Sequence, residues 1–398
     1  MKLNVAVLFG GRSTEHEISV ISAAQVIQAI DPNKYRVIPV YITKKGIWFT
    51  GNRLFNIQNF SDIDQLLSQS TRILLPQHTA DALLLKDSRG FFGTKLLSKI
   101  DVVFPVFHGT HGEDGAIQGF LELINVPYVG CNVLASANTM DKIFTKMLLQ
   151  SIHIPVLEYI WFYSHEWMKE PQKWIKKIEQ TFPYPLIVKP SNLGSSVGVS
   201  SVHNREELEE AIDLAVSMSQ RIMIEPKITH LKEVNCSVLG DSEHCEASVC
   251  EEPVQTDEIL SYKDKYMGGS KSAKISSTKS SGMSSLKRKI PANISEEMAQ
   301  KIQGLAKQTF IGLDCSGVVR IDFLIDQSKE NNNIYLCEVN SIPGSLSFYL
   351  WDPSGVPFDQ LTDRLIQLAL KRHREKNNLN FSFDTNILKN FQKNSTNK

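Results

Sequence analysis

The sequence predicts an α/β protein of two or three domains, the first built around a parallel sheet. The chain has 398 residues, which is too many for one compact core, because single domains usually span about 100 to 200 residues. Its N-terminal part alternates apolar strands with helical patterns: strand 4–9, helix 18–30, strand 37–42 and strand 102–107. Strands separated by helices are typical of a parallel sheet, since each parallel connection needs a crossover.

The rest of the chain is predicted to contain further strands and helices. Residues 51–98 show weaker periodicity, and we expect them to decorate the first domain. The polar residues after Arg374 are expected to be loosely packed, because they offer little apolar surface to bury. In between, we expect strands at 186–189, 221–225, 233–239, 317–325 and 334–339 and helices at 206–219, 295–312 and 358–373.

The charge balance argues against two classes of partner. Lys plus Arg and Asp plus Glu both number 43, so no net charge draws the chain toward nucleic acid or an anionic membrane. No apolar run approaches the roughly 20 residues of a membrane span, and the N-terminus lacks the apolar core of a signal peptide.

The six cysteines have no C-x-x-C spacing and are interpreted as reduced and structural. We therefore expect a cytoplasmic protein without nucleic-acid or membrane partners.

Three oxygen-bearing side chains on neighbouring predicted strands give the strongest local signal. Asp322 lies on one strand, and Glu338 and Asn340 lie two residues apart on the next, so all three can emerge on one face of an antiparallel pair. Oxygen atoms of this kind, together with phosphate oxygens, are the ligands that Mg²⁺ prefers. The alternative is a solvated strand face on which Arg320 pairs with a carboxylate.

Three glycine-containing loops are candidates for binding anions. Residues 189–198 place a lysine before a Gly/Ser loop whose amides can surround phosphate, although an ordinary hairpin would have the same composition. Residues 9–19 open a helix whose free amides favour anions, and Glu15 there could simply complement the helix dipole. Residues 106–115 follow a strand, where open parallel sheets bind ligands. The rival interpretation of this last loop is a zinc site, although the spacing fits no common zinc motif, with His108, His111, Glu113 and Asp114 as ligands.

One long polar segment is a candidate lid. Residues 263–289 are dense in Ser, Lys and Gly and contain almost no apolar side chains. Such a segment cannot bury enough surface to fold alone, and loops of this length are usually functional lids or surface insertions. Both interpretations stay open.

Seven segments, in order along the chain, resemble the ATP-grasp superfamily and, within it, the D-alanine–D-alanine ligase family. The resemblance extends from Leu3 to about Leu370. Several segments are specific to the family rather than to the superfamily. They are 8–19 (LFGGRSTEHEIS), 108–119 (HGTHGEDGAIQG), 140–142 (MDK), 188–198 (VKPSNLGSSVG), 262–266 (YKDKY), 320–322 (RID) and 338–344 (EVNSIPG).

The resemblance implies an ATP-grasp fold with a Rossmann-like parallel-sheet domain at the N-terminus. It implies a substrate domain at 1–130, a central ATP-grasp subdomain at 131–220, a catalytic domain at 221–374 with a lid near 263–289, and a polar tail at 375–398. It further implies that the protein is a homodimer and joins two D-alanines with ATP in peptidoglycan precursor synthesis.

The resemblance also implies which residues bind the nucleotide and its metal ions. Lys142 and Lys189 would contact the ATP phosphates, and Lys265 would reach them from the lid. The flap over the phosphates would comprise Ser195, Ser196 and Val197, and the adenosine would contact Glu225, Ile228 and Glu233. The ligands of two Mg²⁺ ions, for which Mn²⁺ can substitute, would be Asp322, Glu338 and Asn340.

The amino-acid site is implied in the same way. Glu15 would hold the ammonium group of the first D-alanine and bond Ser195, which would in turn bond Tyr266 of the lid. His108 would lie beside the first carboxylate. The donors to the tetrahedral oxyanion would be Arg320 and the backbone N–H of Gly344.

Two departures from the family pattern fall around the second substrate. The chain after Gly344 is several residues shorter than usual and lacks the stretch that normally offers a serine to the second carboxylate, for which Ser345 or Ser347 could substitute. The lid is also much longer than usual. The alternatives are therefore a ligase of the same chemistry with a different acceptor and a nucleotide-binding regulatory protein without catalysis. The retained lysines and metal ligands argue against the regulatory protein.

Overall fold

Three sheets organise the chain. The computed structural model describes residues 2–74, 83–86, 95–254, 288–328 and 333–381, with the backbone alone at 83–86 and 95. The strands form sheets of seven, four and five strands. No helix within these ranges is long and apolar enough to cross a membrane.

The first sheet combines a parallel centre with an antiparallel extension. Strand β1 (Leu3–Gly10) pairs in parallel with β2 (Tyr35–Ile42) and β7 (Val102–Val106), which confirms the predicted parallel start. Residues 51–98 do more than decorate this domain, because strands within them continue the same sheet in antiparallel pairing. The extension consists of β3 (Trp48–Thr50), β4 (Thr71–Leu74), β5 (Leu83–Lys86) and β6 (Lys95–Lys99).

Helices flank this sheet. Helix α1 (His16–Ala29) begins immediately after the first glycine loop, and its Ala23 and Val26 pack in one core with β1. Two short 3-10 helices, Asn52–Phe55 and Ile57–Ser61, follow β3. The remaining helices of this part are α2 (Ile63–Ser68) and α3 (Ala116–Leu123). Helices α4 (Val133–Met140) and α5 (Lys142–Ser151) follow in the chain and pack through Ala135 and Leu149 in the core of the five-stranded sheet.

The second sheet is antiparallel and has the order β10-β9-β11-β8. A separate apolar core, with Phe162 and Trp174 among its largest side chains, packs helices against it. Its strands are β8 (Ile160–Tyr163), β9 (Leu186–Pro190), β10 (Ser200–Val202) and β11 (Arg221–Pro226). The helices are α6 (Ser164–Lys169), α7 (Pro171–Thr181) and α8 (Arg205–Val216).

The third sheet is antiparallel and has the order β14-β13-β12-β15-β16. Strands β12 (Leu231–Gly240), β15 (Gly317–Asp326) and β16 (Asn333–Asn340) lie close to the predicted positions. Strand β13 (Cys245–Pro253) was not predicted, because its sequence CEASVCEEP mixes charges with apolar residues. Short strand β14 (Arg288–Lys289) pairs with its end and falls within the predicted lid, whose residues 263–287 lie outside the described ranges.

The last helices complete the fold. Helix α9 (Glu296–Gly312) is capped by Ser295, whose hydroxyl accepts the Met298 amide at 3.2 Å. A 3-10 turn (Gly344–Ser347) leads into the short helix α10 (Phe348–Trp351). Helix α11 (Phe358–Asn377) runs beyond its predicted end, so the start of the predicted polar tail is helical; residues 382–398 lie outside the described ranges.

Helices α10 and α11 pack in the N-terminal core. Trp351 and Leu365 are fully or almost fully buried in the same apolar cluster as Val5 and Val7 of β1. The loop between β16 and α10 is therefore fixed directly against the first sheet. This packing sets the distance between the N-terminal loops and the third sheet.

Candidate active site

The strand pairing brings the three predicted magnesium ligands onto one face. Asp322 of β15 lies opposite Glu338 of β16, and Arg320 lies opposite Asn340. The Asn340 side-chain amide donates a hydrogen bond of 3.1 Å to Asp322 Oδ2. The three side chains share a face as the sequence predicts, because side chains two apart on a strand and directly opposite across it point the same way.

Arg320 is paired on this face. Its Nε and Nη2 each donate a 2.7 Å hydrogen bond to Asp322. Burial disfavours the guanidinium charge, but the Asp322 carboxylate outweighs burial and raises the pKa of Arg320. The pairing is the one foreseen by the alternative interpretation. The face is not solvated, however, because the two side chains are only 12% and 15% exposed.

Lys142 connects the metal-ligand face to the Gly/Ser loop. Helix α5 starts at this lysine because the Asp141 carboxylate accepts two backbone amides of the first turn. Lys142 Nζ donates a 2.7 Å hydrogen bond to the Leu193 carbonyl and lies 3.8 Å from Glu338 Oε2. A cation thus lies between a predicted metal ligand and the loop predicted to cover phosphates.

Glu225 is held between two lysines. One carboxylate oxygen accepts Lys146 Nζ at 2.5 Å, and the other accepts Lys189 Nζ. Burial alone would raise the pKa of Glu225, but the two lysines together lower it to about 2. Lys146 was not predicted as a site residue, although it lies four residues after Lys142 and so on the same side of α5. Glu225, which was expected to contact the adenine, is therefore a carboxylate already paired with two lysines.

Glu15 and the Gly/Ser loop meet directly. The Ser195 hydroxyl donates a hydrogen bond to Glu15, the contact expected from the resemblance. Gly194 allows this approach, because a Cβ there would lie 2.8 Å from Glu15 Oε2. Ser195 and Ser196 have φ values of 51° and 59°, in the left-handed region. Such backbone costs about 1 kcal/mol or more per residue, and strain of this kind clusters at functional sites.

His108 is buried between α1 and the turn after β16. Its Nε2 lies 2.9 Å from Ser22 Oγ, and its carbonyl accepts the Ser13 hydroxyl at 2.7 Å. Burial lowers the pKa of His108 to about 4, and the Arg320 charge also lowers it. The imidazole is therefore neutral at pH 7.

Glu113 was considered only as a zinc ligand, yet it joins two parts of the site. Its Oε2 accepts the Gly109 amide at 2.8 Å, and its Oε1 accepts the Ile342 amide at 3.0 Å. Burial raises the pKa of Glu113 to about 8, and the charges of Glu15 and Glu338 also raise it. Its only sequence signal was its place within the family segment 108–119.

The zinc interpretation is not supported. Within the ranges that the structure describes, no three His, Cys, Asp or Glu side chains are placed to hold a metal ion. The loop residues have protein partners: His111 Nδ1 lies 3.1 Å from the Arg12 carbonyl, and Asp114 accepts the His111 amide at 2.7 Å. The magnesium set differs from such a group, because Asn340 contributes an amide oxygen.

The remaining residues predicted for the site lie on loops and strands around these groups or outside the described ranges. Val197 lies in the Gly/Ser loop and Ile228 in the connection between β11 and β12, where both are half-buried. Glu233 lies on β12, and Gly344 opens the 3-10 turn after β16. Two predicted residues lie outside the described ranges, Lys265 and Tyr266.

The fold and the site define the class of protein. The second sheet contributes Lys189 and Glu225, the third sheet contributes the predicted oxygen ligands, and α5 contributes Lys142 and Lys146 beside both. Lysines around a Gly/Ser loop and carboxylates on an adjacent strand pair are groups that can bind a nucleoside triphosphate and its metal. The protein has the ATP-grasp fold.

Comparison with known proteins identifies the family. The models of the D-ala D-ala ligase N-terminus and C-terminus match residues 4–131 and 148–367. This chain belongs to the D-alanine–D-alanine ligase family. A relative from Thermosipho melanesiensis, named D-alanine–D-alanine ligase, is 42% identical over 387 residues, which cover 97% of this chain and 98% of the relative. Another, from Chloroherpeton thalassium, is 41% identical and covers 94% and 98%.

Solved structures are similar in fold. The VanG D-Ala:D-Ser ligase from Enterococcus faecalis superposes with a TM-score of 0.76 at 31% identity, covering 93% of this chain and 100% of that chain. The D-alanine-D-alanine ligase from Coxiella burnetii has a TM-score of 0.73 at 30% identity, covering 95% and 96%.

Proposed function

We propose that this protein is an ATP-dependent ligase that joins two D-alanines through a D-alanyl phosphate, for peptidoglycan precursor synthesis. Family membership over nearly the whole chain supports the reaction. The observation that carries the mechanism is the single face shared by Asp322, Glu338 and Asn340, with Lys142 beside it. The proposal includes the division into domains at residues 130 and 220. It also includes a homodimer, and sedimentation of the purified protein tests this oligomeric state.

The side chains on this face fit magnesium. Two carboxylates and one amide offer hard oxygen ligands on adjacent strands, and Lys142 adds a positive charge near Glu338. Mg²⁺ held by these residues would neutralise charge on the triphosphate. Manganese would occupy the same ligands.

In the first step, a carboxylate oxygen of the first D-alanine attacks the γ-phosphorus of ATP, and the bond to the bridging oxygen of ADP breaks. Lys142 and Lys189 offset the negative charges that this attack brings together. Glu15, fixed by Ser195, holds the ammonium group of the substrate. His108 is neutral, with its Nε2 2.9 Å from Ser22 Oγ, and its proposed position beside the carboxylate adds no charge.

In the second step, the amine nitrogen of the second D-alanine attacks the acyl carbon and forms the C–N bond. The bond from the acyl carbon to the phosphate oxygen breaks, and the departing inorganic phosphate takes the proton that the nitrogen loses. The tetrahedral oxyanion forms only at this point. Arg320 and the backbone N–H of Gly344 are the proposed donors to it, and donors aimed at developing charge are worth most in a buried site. The flap residues Ser195 and Ser196 would limit hydrolysis by excluding water from the acyl phosphate.

The experiment that tests the metal-ligand face is Glu338→Ala. Phosphate release with ATP and D-alanine should fall by at least about 100-fold, because one charged ligand of the triphosphate site is lost. Circular dichroism should be unchanged. The matched control is Asn333→Ala, at the exposed start of the same strand. Normal turnover in the Glu338 variant would remove the metal site from this proposal.

A different acceptor is the second candidate function. The shorter chain after Gly344 and the structural similarity to a D-Ala:D-Ser ligase favour testing it. Phosphate release is measured with D-alanine alone and then with D-alanine paired with a panel of amino and hydroxy acids. Turnover with D-alanine alone supports the main proposal, and turnover only with another partner supports the alternative.

A further inference from the structure

The second amino acid needs a partner for its carboxylate, and both serines considered for that role are buried inside the protein, Ser345 with hydrogen-bond partners and Ser347 with none for its hydroxyl among the described residues. The Ser345 hydroxyl donates to Gln25, and its amide donates to Ser22 at 3.2 Å. Ser345 is 1% exposed and Ser347 is 0% exposed. A hydroxyl without accessible surface cannot contact a ligand in this arrangement.

A different set of polar side chains continues the metal-ligand face. Glu251 of β13 lies opposite Asn235 of β12. Asn235 lies opposite Asp322 of β15, and Asp322 lies opposite Glu338 of β16. Asn235 donates a 3.0 Å hydrogen bond to Glu251. These four residues form one row across four strands, and side chains in such a row share a face of the sheet.

Arg288 and Tyr349 lie at the end of this row. Arg288 Nη1 donates to Glu251 at 2.9 Å, and its guanidinium lies 3.9 Å from the centre of the Tyr349 ring. The Tyr349 hydroxyl donates to the other Glu251 oxygen at 3.2 Å. Burial and the Glu251 charge raise the pKa of Tyr349, whereas the charges of Arg320 and Arg288 lower it.

Tyr349 reaches Arg288 from the chain that follows Gly344. It belongs to α10, which begins after the 3-10 turn and packs against β13.

We propose that Arg288, with its plane fixed by Tyr349, binds the carboxylate of the second amino acid and selects acceptors that carry one. An arginine can bind a carboxylate through two parallel N–H bonds, and stacking on a ring orients its plane. The Arg288 side chain is only 11% exposed, which strengthens a charge-assisted bond. Asp322 and Glu338 are assigned to the metal. The remaining charged groups, Arg288, Arg320 and Glu251, leave one positive charge, which the carboxylate of one amino acid would neutralise.

The inference rests on the proposed function and is tested on the full-length enzyme with ATP. Arg288→Met should raise the KM for the second D-alanine about 10- to 100-fold, the range for losing a hydrogen bond to a charged group. The KM values for ATP and for the first D-alanine should stay within about twofold of wild type, because the variant leaves those contacts intact. Arg288→Lys keeps the positive charge but cannot donate two parallel N–H bonds, so its KM for the second D-alanine should lie between those of wild type and Arg288→Met.

A second readout separates carboxylate binding from a structural role. Wild type should prefer D-alanine over D-alaninamide as acceptor, and Arg288→Met should lose most of that preference. The matched control is Lys289→Met, the next residue on β14, whose ammonium pairs with Glu252 at the surface and which should behave as wild type.

The outcomes distinguish this inference from the proposed function. If wild type turns over D-alanine while Arg288→Met keeps the acceptor KM and the preference over the amide, the inference is wrong and the proposed function stands. If wild type needs another carboxylate acceptor, the same comparison is made with that acceptor, and an unchanged KM again overturns the inference. Absence of turnover with any amino acid overturns both.

Discussion

Buried ionisable side chains at the site are held in defined charge states by their neighbours. Glu225 is kept ionised by two lysines, and His108 is kept neutral by burial. Glu113 has the opposite tendency to Glu225, because burial and neighbouring carboxylates favour its protonated form. The same residue type therefore has two charge preferences within one site, and each preference is set by contacts from distant parts of the chain.

The burial of His108 predicts a pH dependence of stability. Its pKa is about 4 in the folded protein and about 6.5 in an unfolded chain, so the unfolded state binds the proton first as pH falls. The free energy of unfolding should therefore decrease between pH 6.5 and 4, by about 3 kcal/mol from this residue. Urea unfolding of wild type and His108→Gln at pH 7 and pH 4.5 measures the difference. Parallel losses in the two proteins would contradict a neutral, buried imidazole.

Glu113 predicts an effect on turnover rather than on nucleotide binding. Glu113→Gln keeps one oxygen acceptor but turns an NH₂ group toward the other backbone N–H, either at Gly109 or at Ile342. The loop that carries Gly344 should shift, and displacements on this scale cost about 10- to 100-fold in kcat. Steady-state phosphate release measures kcat, and calorimetry should give an almost unchanged Kd for ATP. The matched control is Asp114→Asn, which makes the same exchange in a carboxylate that accepts only amides of its own loop, those of His111 and Ala116.

At the scale of single elements, the start of α5 sets the position of both lysines on that helix. Asp141 caps the helix and also pairs with Arg221 of β11 at 2.6 Å. One carboxylate thus fixes Lys142 and Lys146 relative to the second sheet. The sequence segment 140–142 identified the position, but the partner strand came only from the fold.

Replacing the cap should therefore weaken both the fold and nucleotide binding. Asp141→Ala should lower the free energy of unfolding by about 2 to 4 kcal/mol, from the lost cap and the unpaired Arg221. It should also raise the KM for ATP, because Lys142 lies in the first turn. Asp141→Asn keeps a capping oxygen and should lose less stability. Chemical unfolding of the three proteins ranks them, and equal stability of all three would contradict this explanation.

The turn after Gly344 illustrates an element that sequence patterns do not predict. Ser345, Leu346 and Ser347 have φ values of 51°, 55° and 51°, and none of them is glycine. Each left-handed residue costs roughly 1–2 kcal/mol, so local preference opposes this turn. It persists because Leu346 is buried in the core and Ser345 bonds to α1. Tertiary packing overrides the local conformational preference here.

At the scale of the whole molecule, the first and third sheets are tied together at several points. Trp351 and α11 pack in the core of the first sheet, and Arg372 donates to the Gly130 and Tyr128 carbonyls. The second sheet has a separate apolar core and bears the Gly/Ser loop. The proposed nucleotide site thus lies where separately packed parts meet, and a bound nucleotide would add contacts between them.

Nucleotide binding should therefore stabilise the folded protein. ATP with magnesium at 100 times its Kd should add about 2.7 kcal/mol to the free energy of unfolding, as for any ligand that binds only the folded state. Thermal unfolding with ATP should show a higher Tm with magnesium than with a chelator. Glu338→Ala should lose the part of the shift that depends on magnesium. If ATP raised the Tm of wild type equally with magnesium and with a chelator, the proposed metal ligands would be wrong.

The sequence by itself determined the parallel start of the first sheet, most later strands and helices, and the shared face of Asp322, Glu338 and Asn340. These features follow from short-range rules, because the side-chain period of a strand and the crossover of a parallel pair are local geometry. The ordered segments also identified the family. Sequence patterns failed for β13, whose composition lacks a clear period, and for the strands within residues 51–98.

Only the tertiary structure decided which distant groups meet. It paired Lys146 with Glu225, used Glu113 to join Gly109 to Ile342, and stacked Arg288 on Tyr349. Each contact joins residues far apart in sequence, and its energy depends on burial that no local pattern encodes. Charge states and close approaches at this site are therefore properties of the packed molecule, whereas the residues that can supply them are already present in the sequence.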